Sequence, residues 1–441
     1  MLKTKLTFWQ LWNMNFGFLG IQYSFGLQQT AINPIYMMLG ADPDSLPILN
    51  LAGPMTGLLI QPLIGAMSDR TWSPRFGRRK PYFLVGAIMC SLALLLFPFS
   101  SSLWMAAGLL WILDAGNNTA MEPYRAYVAD ILPPQQQRKG FMIQSFFTGL
   151  GITLANVCMY LFQKSDYLAK VKTNGLPYWV YIAFFVGSFT SIATVLWAVF
   201  HSKENPPSEA ELKELREEKR HLFSPFIDII SSIKDMPSSL WKLAAVYLFQ
   251  WYGLFCYWQF SSLSVAKNIF NTEDTQSKLF QEAASFTGLL NAIYNVVTFI
   301  VALALMKILA KYKPHLVHAT CLFLAAIGLS LFSFTHDKTM MIIYIIGLGV
   351  AWASIMGVPY LMVMDEIPKK KYGIYMGIIN MMIVIPMLIQ TLTFGFIYKH
   401  VLYHNPNLAM LFAGCFLGIA ALLSLYFFRN ASNPSPVSAN S

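Results

Sequence analysis

Residues 103–129 read LWMAAGLLWILDAGNNTAMEPYRAYVA. The run is long enough to cross a bilayer, which takes about 20 mainly apolar residues, yet it carries Asp114, Asn117, Asn118, Glu122 and Arg125. An ionisable side chain at such depth is costly unless it is paired or faces water. On a helix advancing about 100° per residue, Asp114, Asn118, Glu122 and Arg125 fall within about 80° of one another. The stripe therefore predicts a face turned to a polar interior. Asp114 lies about 16 Å from Arg125 at about 1.5 Å per residue, which puts the acid near the midplane and the base near one mouth. Glu122 and Arg125, three apart, are spaced to pair. A lone carboxyl in apolar surroundings disfavours its charged form, so it can load and release a proton near neutral pH. That is what a proton-coupled carrier requires.

The same composition runs through the whole chain. Of 441 residues, 56% are hydrophobic and only 12% charged, with a mean hydropathy of +0.50. Soluble domains carry about a quarter charged residues. The chain is read as an all-α integral membrane protein, its partner the lipid bilayer. Twelve runs are long enough to cross roughly 30 Å of hydrocarbon. They are residues 9–39, 46–67, 82–98, 103–129, 141–163, 177–200, 241–265, 280–309, 315–334, 340–364, 372–398 and 405–428.

A net charge of +10 could suggest a polyanionic partner such as nucleic acid, but the placement of the basic residues decides otherwise. With a cytoplasmic N-terminus, 22 of the 31 Lys and Arg fall in inner segments and 7 in outer loops. That bias is the positive-inside signature and puts both termini in the cytoplasm. No nucleic-acid partner is expected. Cys90, Cys158, Cys256, Cys321 and Cys415 all lie in predicted spans without metal-like spacing, and read as packing residues. No metal site or cofactor is expected. Lys3 and Lys5 precede a long span with no small-residue cleavage site, which reads as a retained first helix.

The longest polar interval divides the spans six and six. It predicts an N-terminal half, 1–200, a cytoplasmic linker, 201–240, a C-terminal half, 241–428, and a short polar tail, 429–441. In the linker, Ser208 and Glu211 have capping-box spacing ahead of a charged helix through His221. A second helix is predicted from Ser224 and Pro225, with Phe226, Ile229, Ile230 and Ile233 along the membrane surface. The halves also echo each other: Pro123, Tyr124, Asp130, Ile131, Leu132, Pro133 and Gly140 against Pro359, Tyr360, Asp365, Ile367, Pro368 and Gly373. Two six-helix parallel repeats are the layout of carriers with a midplane site.

Further polar residues interrupt the apolar runs. Asn15, Gln22 and Gln29 recur at intervals of seven in the first span, with Asn33 one turn on; Asn291 and Asn295 do the same in the eighth, and the seventh offers Gln250, Trp251, Trp258 and Gln259. Amides are unfavourable against lipid. Amides beside aromatic faces suit a neutral polyhydroxylated ligand, with hydroxyls on the amides and apolar ring faces on the indoles. The loop after the second span carries Asp69, Arg70, Arg75, Arg78 and Arg79. Asp69 can sit against the positive end of a helix while the arginines pair with acids such as Asp130, a gate whose opening would bias inward against outward states.

These residues resemble a known family. Gly65-Ala66-Met67-Ser68-Asp69-Arg70 followed by Arg75-Phe76-Gly77-Arg78-Arg79-Lys80 resembles the loop signature of the major facilitator superfamily. Gly20-Ile21-Gln22, Ala52-Gly53-Pro54-Met55-Thr56-Gly57-Leu58 with Gln61-Pro62, and Leu113-Asp114 through Asn117-Asn118 to Pro123, Arg125 and Asp130 resemble its glycoside:proton symporters, which include the plant sucrose carriers. Met121-Glu122-Pro123-Tyr124-Arg125-Ala126, with Gln281-Glu282-Ala283, is most similar to the bacterial branch that imports maltose and related α-glucosides. The resemblance implies twelve transmembrane helices in two pseudo-symmetric halves. It implies import of a disaccharide with protons by alternating access, in a bacterial inner membrane, by a chain functional as a monomer. Asp114 matches the family's proton residue and Arg125 its sugar residue. Plant carriers place an acid and an Arg-Glu pair at the end of the seventh span, where this chain has Phe260, Ser261, Ser262 and Lys267. That counts against sucrose itself. Sodium-coupled relatives use acids in the second span, and none occurs between Ile48 and Met67.

The expected substrate residues are thus Asn15, Gln22, Gln29, Asp114, Asn118, Arg125, Gln250, Trp251, Trp258, Asn291 and Asn295, with Asp114 also the proton residue. The expected gate is Asp69, Arg70, Arg75, Arg78, Arg79 and Asp130. A sucrose:proton symporter and a non-transporting membrane sugar sensor are the alternative readings. No nucleophile with its base, metal-ligand cluster or phosphate loop occurs in the spans, so an enzyme is not expected.

Overall fold

The computed structural model describes residues 5–429 except 166, 169, 171–174, 205, 207–223, 310, 364–365 and 368–371. The described chain is almost wholly helical, and contact clustering separates two units. One comprises Met1–Gly40 and Leu49–Asp228, the other Ala41–Ile48 and Ile229–Ser441. The first contains α1 (Phe8–Asn15), α2 (Gly17–Met38), α4 (Ala52–Arg70), α5 (Lys80–Leu96), α6 (Leu103–Ile131), α7 (Pro134–Gln163) and α8 (Tyr178–His201). The short α3 (Leu46–Leu49) leads into α4, and α9 (Ser224–Ile233) lies within the linker. The second unit contains α10 (Ser238–Ile269), α11 (Lys278–Ile308), α12 (Pro314–Phe332), α13 (Lys338–Ile355), α14 (Val358–Val363), α15 (Tyr372–His400) and α16 (Pro406–Phe428).

Six long helices in each unit give the expected all-α membrane architecture. The internal packing repeats as well. In the first unit α2 packs on α7 and α8, α5 on α6 and α8, and α4 on α6; in the second α10 packs on α15 and α16, α12 on α13 and α16, and α11 on α13. Counted first to twelfth, these are the same partnerships displaced by six helices. The duplication legible in Pro123-Tyr124 and Pro359-Tyr360 is therefore a duplication of packing. Asp365 and Pro368, the other end of that echo, lie outside the described residues, as does the predicted linker helix from Ser208 to His221.

Nine of the long helices are apolar enough to cross a membrane on composition alone, among the described residues. The three that are not, α2, α6 and α10, carry Gln22, Gln29, Asp114, Asn118, Glu122, Gln250, Trp251, Trp258 and Gln259. Outward faces elsewhere expose large apolar side chains such as Leu92, Phe189, Phe200, Ile300, Leu392 and Phe396, as lipid contact requires. α9 begins at Ser224 as expected and exposes Ile227 and Ile230; the side chains of Phe226 and Ile229 are outside the described set.

Two departures from the expected spans position the site. The first span is broken: α1 ends at Asn15 and α2 starts at Gly17. Tyr124 of α6 bridges the break, its hydroxyl donating to the Met14 carbonyl at 2.6 Å and accepting from the Gly17 amide at 3.1 Å. Backbone groups freed in an apolar interior must find such partners. The tenth span breaks between α13 and α14 at Met356 and Gly357. α6 itself is drawn against α5 by paired glycines: a Cβ on Gly86 would stand 2.5 Å from the Gly116 carbonyl oxygen. Small residues permit this close helix approach. In the second unit the segment Ala41–Ile48 lies on α15, where Asp44 meets Lys399 at 3.7 Å.

Candidate functional site

In the first unit the polar side chains of α2, α4, α5 and α6 converge on Asp114. The carboxyl is 1% exposed. Gln28 of α2 donates from Nε2 to Asp114 Oδ1 at 2.6 Å, and Asn117 donates to Gln28 Oε1 at 3.4 Å. Cys90 of α5 donates to Asn117 Oδ1 at 3.1 Å. On the other side, Asn118 donates to Thr56 Oγ1 at 3.1 Å and to its own helix at the Asp114 carbonyl, and accepts from Gln61 Nε2 at 2.6 Å. The remaining oxygen, Asp114 Oδ2, is buried without a partner and faces the backbone at Gly53, where an added Cβ would stand 3.9 Å away. Among the described residues no cation pairs with Asp114.

The expected neighbours are distributed unevenly. Asp114 and Asn118 are in the network. Gln22 points instead at Met121 Sδ, 3.9 Å away, and Asn15 donates to Leu11 of its own short helix at 2.9 Å. Gln29 is half-buried outside the network; Gln28, one residue earlier on the same helix, is the side chain that reaches α6. Asn33 accepts from Asn50 at 2.7 Å. The expected Glu122–Arg125 pair is not formed. Arg125 is exposed, and the Glu122 stem approaches α4 at Gly65, where a Cβ would meet it at 3.9 Å. A spacing of three on a helix permits such a pair without requiring it. Cys90, expected only to pack, is a hydrogen-bond donor.

The second unit holds a cluster without acids. Gln250 of α10, buried with 0% exposure, meets His318 of α12, whose Nε2 lies 3.0 Å from Gln250 Oε1 while its Nδ1 lies 2.9 Å from Ser354 Oγ of α13. Trp251 and Trp258 of α10 both stand edge-on to Trp352 of α13, with ring centroids 5.8 and 5.4 Å apart. Asn291 of α11 accepts from the Tyr257 hydroxyl at 2.8 Å, and Asn295 donates to the Asn291 carbonyl. Gln259 accepts from Gln390 of α15 at 2.9 Å. His318, Ser354, Trp352 and Gln390 escaped the sequence reading. Only one signal pointed to them: each is a polar or indole group in an otherwise aliphatic run.

The loop before α5 forms the third constellation. Arg79 is its centre, reaching Asp69 at 2.5 Å, Asp130 at 2.8 Å and Ser68 Oγ at 2.6 Å. Burial pulls the guanidinium toward neutrality, and Asp69 and Asp130 more than offset it, so its pKa is raised. Arg75 lies over the Phe76 ring instead, and the Arg70 side chain is outside the described set. Glu204, which no motif flagged, receives the backbone amides of Arg78, Arg79 and Lys80 at 2.6–3.2 Å. It thereby caps α5. Gly77, at φ +83°, makes room: a Cβ there would lie 2.5 Å from the Glu204 carboxyl carbon.

Comparison with known proteins bears on the family and the fold. A family profile described as Major Facilitator Superfamily matches residues 14–391 and 284–440. The sucrose transport protein SUC4 of Arabidopsis thaliana is 25% identical over 424 residues, covering 85% of this chain and 81% of its own. Among solved structures, a variant of the nucleoside transporter NupG superposes with a TM-score of 0.73 at 12% identity, covering 95% of this chain and 99% of that one. A D-xylose-proton symporter gives 0.66 at 15% identity, covering 97% and 98%. At these identities the two structures speak for the fold.

Proposed function

The chain belongs to the Major Facilitator Superfamily, and from that premise we propose that it is a secondary active transporter importing an α-glucosyl disaccharide with protons. It works by alternating access, in a bacterial inner membrane with both termini cytoplasmic. The observation that carries the reading is Asp114. It is a buried carboxyl in a membrane helix, held by the neutral donor Gln28 and free of any described counter-charge. A fixed cation would keep such an acid ionised; an amide lets it gain and lose its proton. Arg125 and Asn118 lie on the same helix and are the further sugar contacts of this unit.

Neutral amides and indoles in both units favour a neutral sugar over a charged cargo. Maltose is the first candidate, on the motif from Met121 to Ala126. Sucrose, also an α-glucoside, is the second, on the relative named above. In vesicles with an imposed inward proton gradient, labelled maltose or sucrose should accumulate and a protonophore should abolish the accumulation. Binding of either sugar with no counterflow would instead indicate a sensor that keeps the fold without turnover.

A further inference from the structure

His318 is a wholly buried titratable group in α12 that the proton step does not use, and both of its ring nitrogens are engaged. With the Ser354 hydroxyl donating to Nδ1, the Nε2 hydrogen goes to Gln250 Oε1. The Gln250 carboxamide is thereby fixed in one orientation. Its NH2 group, also buried, has no partner in the structure, and a buried donor left unmet is a liability unless something occupies it. The neighbouring Trp251 Nε1 is likewise buried and unmet.

The position of the cluster adds a second line of argument. Ser354 and Trp352 occupy the last turn of α13, just before the break at Met356 and Gly357. A Cβ on Gly357 would meet nothing within 4 Å. Discontinuous helices of this kind border substrate sites in carriers. Two unmet N–H donors beside the Trp251, Trp352 and Trp258 rings match a sugar's surface, hydroxyl oxygens at the edges and apolar C–H faces between.

We propose that His318 is a positioning residue: it holds Gln250 so that the amide NH2 donates to a hydroxyl oxygen of the bound sugar, beside the three indoles. Gln250 Oε1 can only accept, so Nε2 carries the ring hydrogen and Nδ1 accepts from the Ser354 hydroxyl. The inference rests on the sugar-transport reading and names the part of the second unit that recognises the sugar.

Sugar binding to the purified protein, followed by intrinsic tryptophan fluorescence with maltose and with sucrose, tests it. His318→Leu should raise Kd about tenfold, the scale of one well-placed hydrogen bond. His318→Gln, which retains a donor where Nε2 stands, should stay within about threefold of wild type. In a Gln250→Leu background, His318→Leu should add nothing further, since it acts through that amide. Should His318→Leu fail to fold, His318→Asn carries the same test, for it retains a partner for Ser354 but is too short for Gln250. An unchanged Kd in His318→Leu or His318→Asn, or the same loss with Gln250 already removed, overturns the inference alone. A wild type that binds neither sugar overturns the sugar reading together with it.

Discussion

The two units place a polar cluster at the same three helices of the repeat and fill it with different chemistry. In the first unit Gln28, Cys90 and the Asp114–Asn117 turn come from the first, third and fourth long helices. In the second, Gln250, His318 and Ser354 come from the seventh, ninth and tenth. The offset of 236 that aligns Tyr124 with Tyr360 also aligns Asn118 with Ser354. An amide on the leading helix of each half accordingly meets a partner whose ionisation differs. In one it is a carboxyl without a counter-charge, in the other an imidazole held between a hydroxyl and an amide. The packing framework is shared, and the two clusters differ in holding a carboxyl in one unit and an imidazole in the other.

On the proposed function, the two clusters should fail in different ways. The largest effect is expected from Asp114→Asn. A one-unit pH gradient is worth about tenfold accumulation per proton, roughly 1.4 kcal/mol, and the amide cannot carry that proton. Gradient-driven accumulation should fall to none while sugar counterflow persists in the same vesicles. Accumulation by this variant at the wild-type level would remove the distinction between the units. Gln28→Leu comes next, because it strips Asp114 of its one described side-chain donor. Hydrogen bonds to groups that bear charge are worth about 1.5–3 kcal/mol, so the rate of proton-driven uptake should fall roughly tenfold or more, with KM for the sugar little changed. Trp352→Ala should do the reverse. Losing an indole face raises KM by roughly tenfold and leaves the accumulation ratio at equilibrium intact. A changed ratio would show that the second unit also handles the proton.

How much of this could be read from one dimension follows from the same contrast. Asp114 was legible because a charge in an apolar run is anomalous whatever surrounds it. The six-and-six layout was legible because lipid imposes length and composition on each span. Gln28 was not, since the count of seven from Asn15 through Gln22 selects Gln29, and which of two adjacent glutamines meets α6 is decided by packing. Nor was the absence of the Glu122–Arg125 pair, since a spacing of three permits a pair without requiring it. His318 was the least visible. A single histidine among Leu, Val and Ala has no pattern of its own, and its role emerges only when Gln250 and Ser354, 68 and 36 residues away, stand against its two nitrogens.

The smallest effect belongs to the Glu204 contact in the loop between the second and third long helices of the first unit. Glu204 receives three backbone amides at the start of α5, where the helix dipole also favours an acid. Glu204→Ala should lower stability by about 1–2 kcal/mol, the usual worth of an N-cap, read as a lower thermal midpoint in detergent, with KM unchanged. Gly77→Ala attacks the same contact from the other side, through strain at φ +83° and a methyl driven into the carboxylate. In the double variant the collision is gone and only the backbone strain remains, so the two losses should sum to less than their separate values. Simple additivity would mean that Gly77 serves the turn alone and that Glu204 caps α5 without its help.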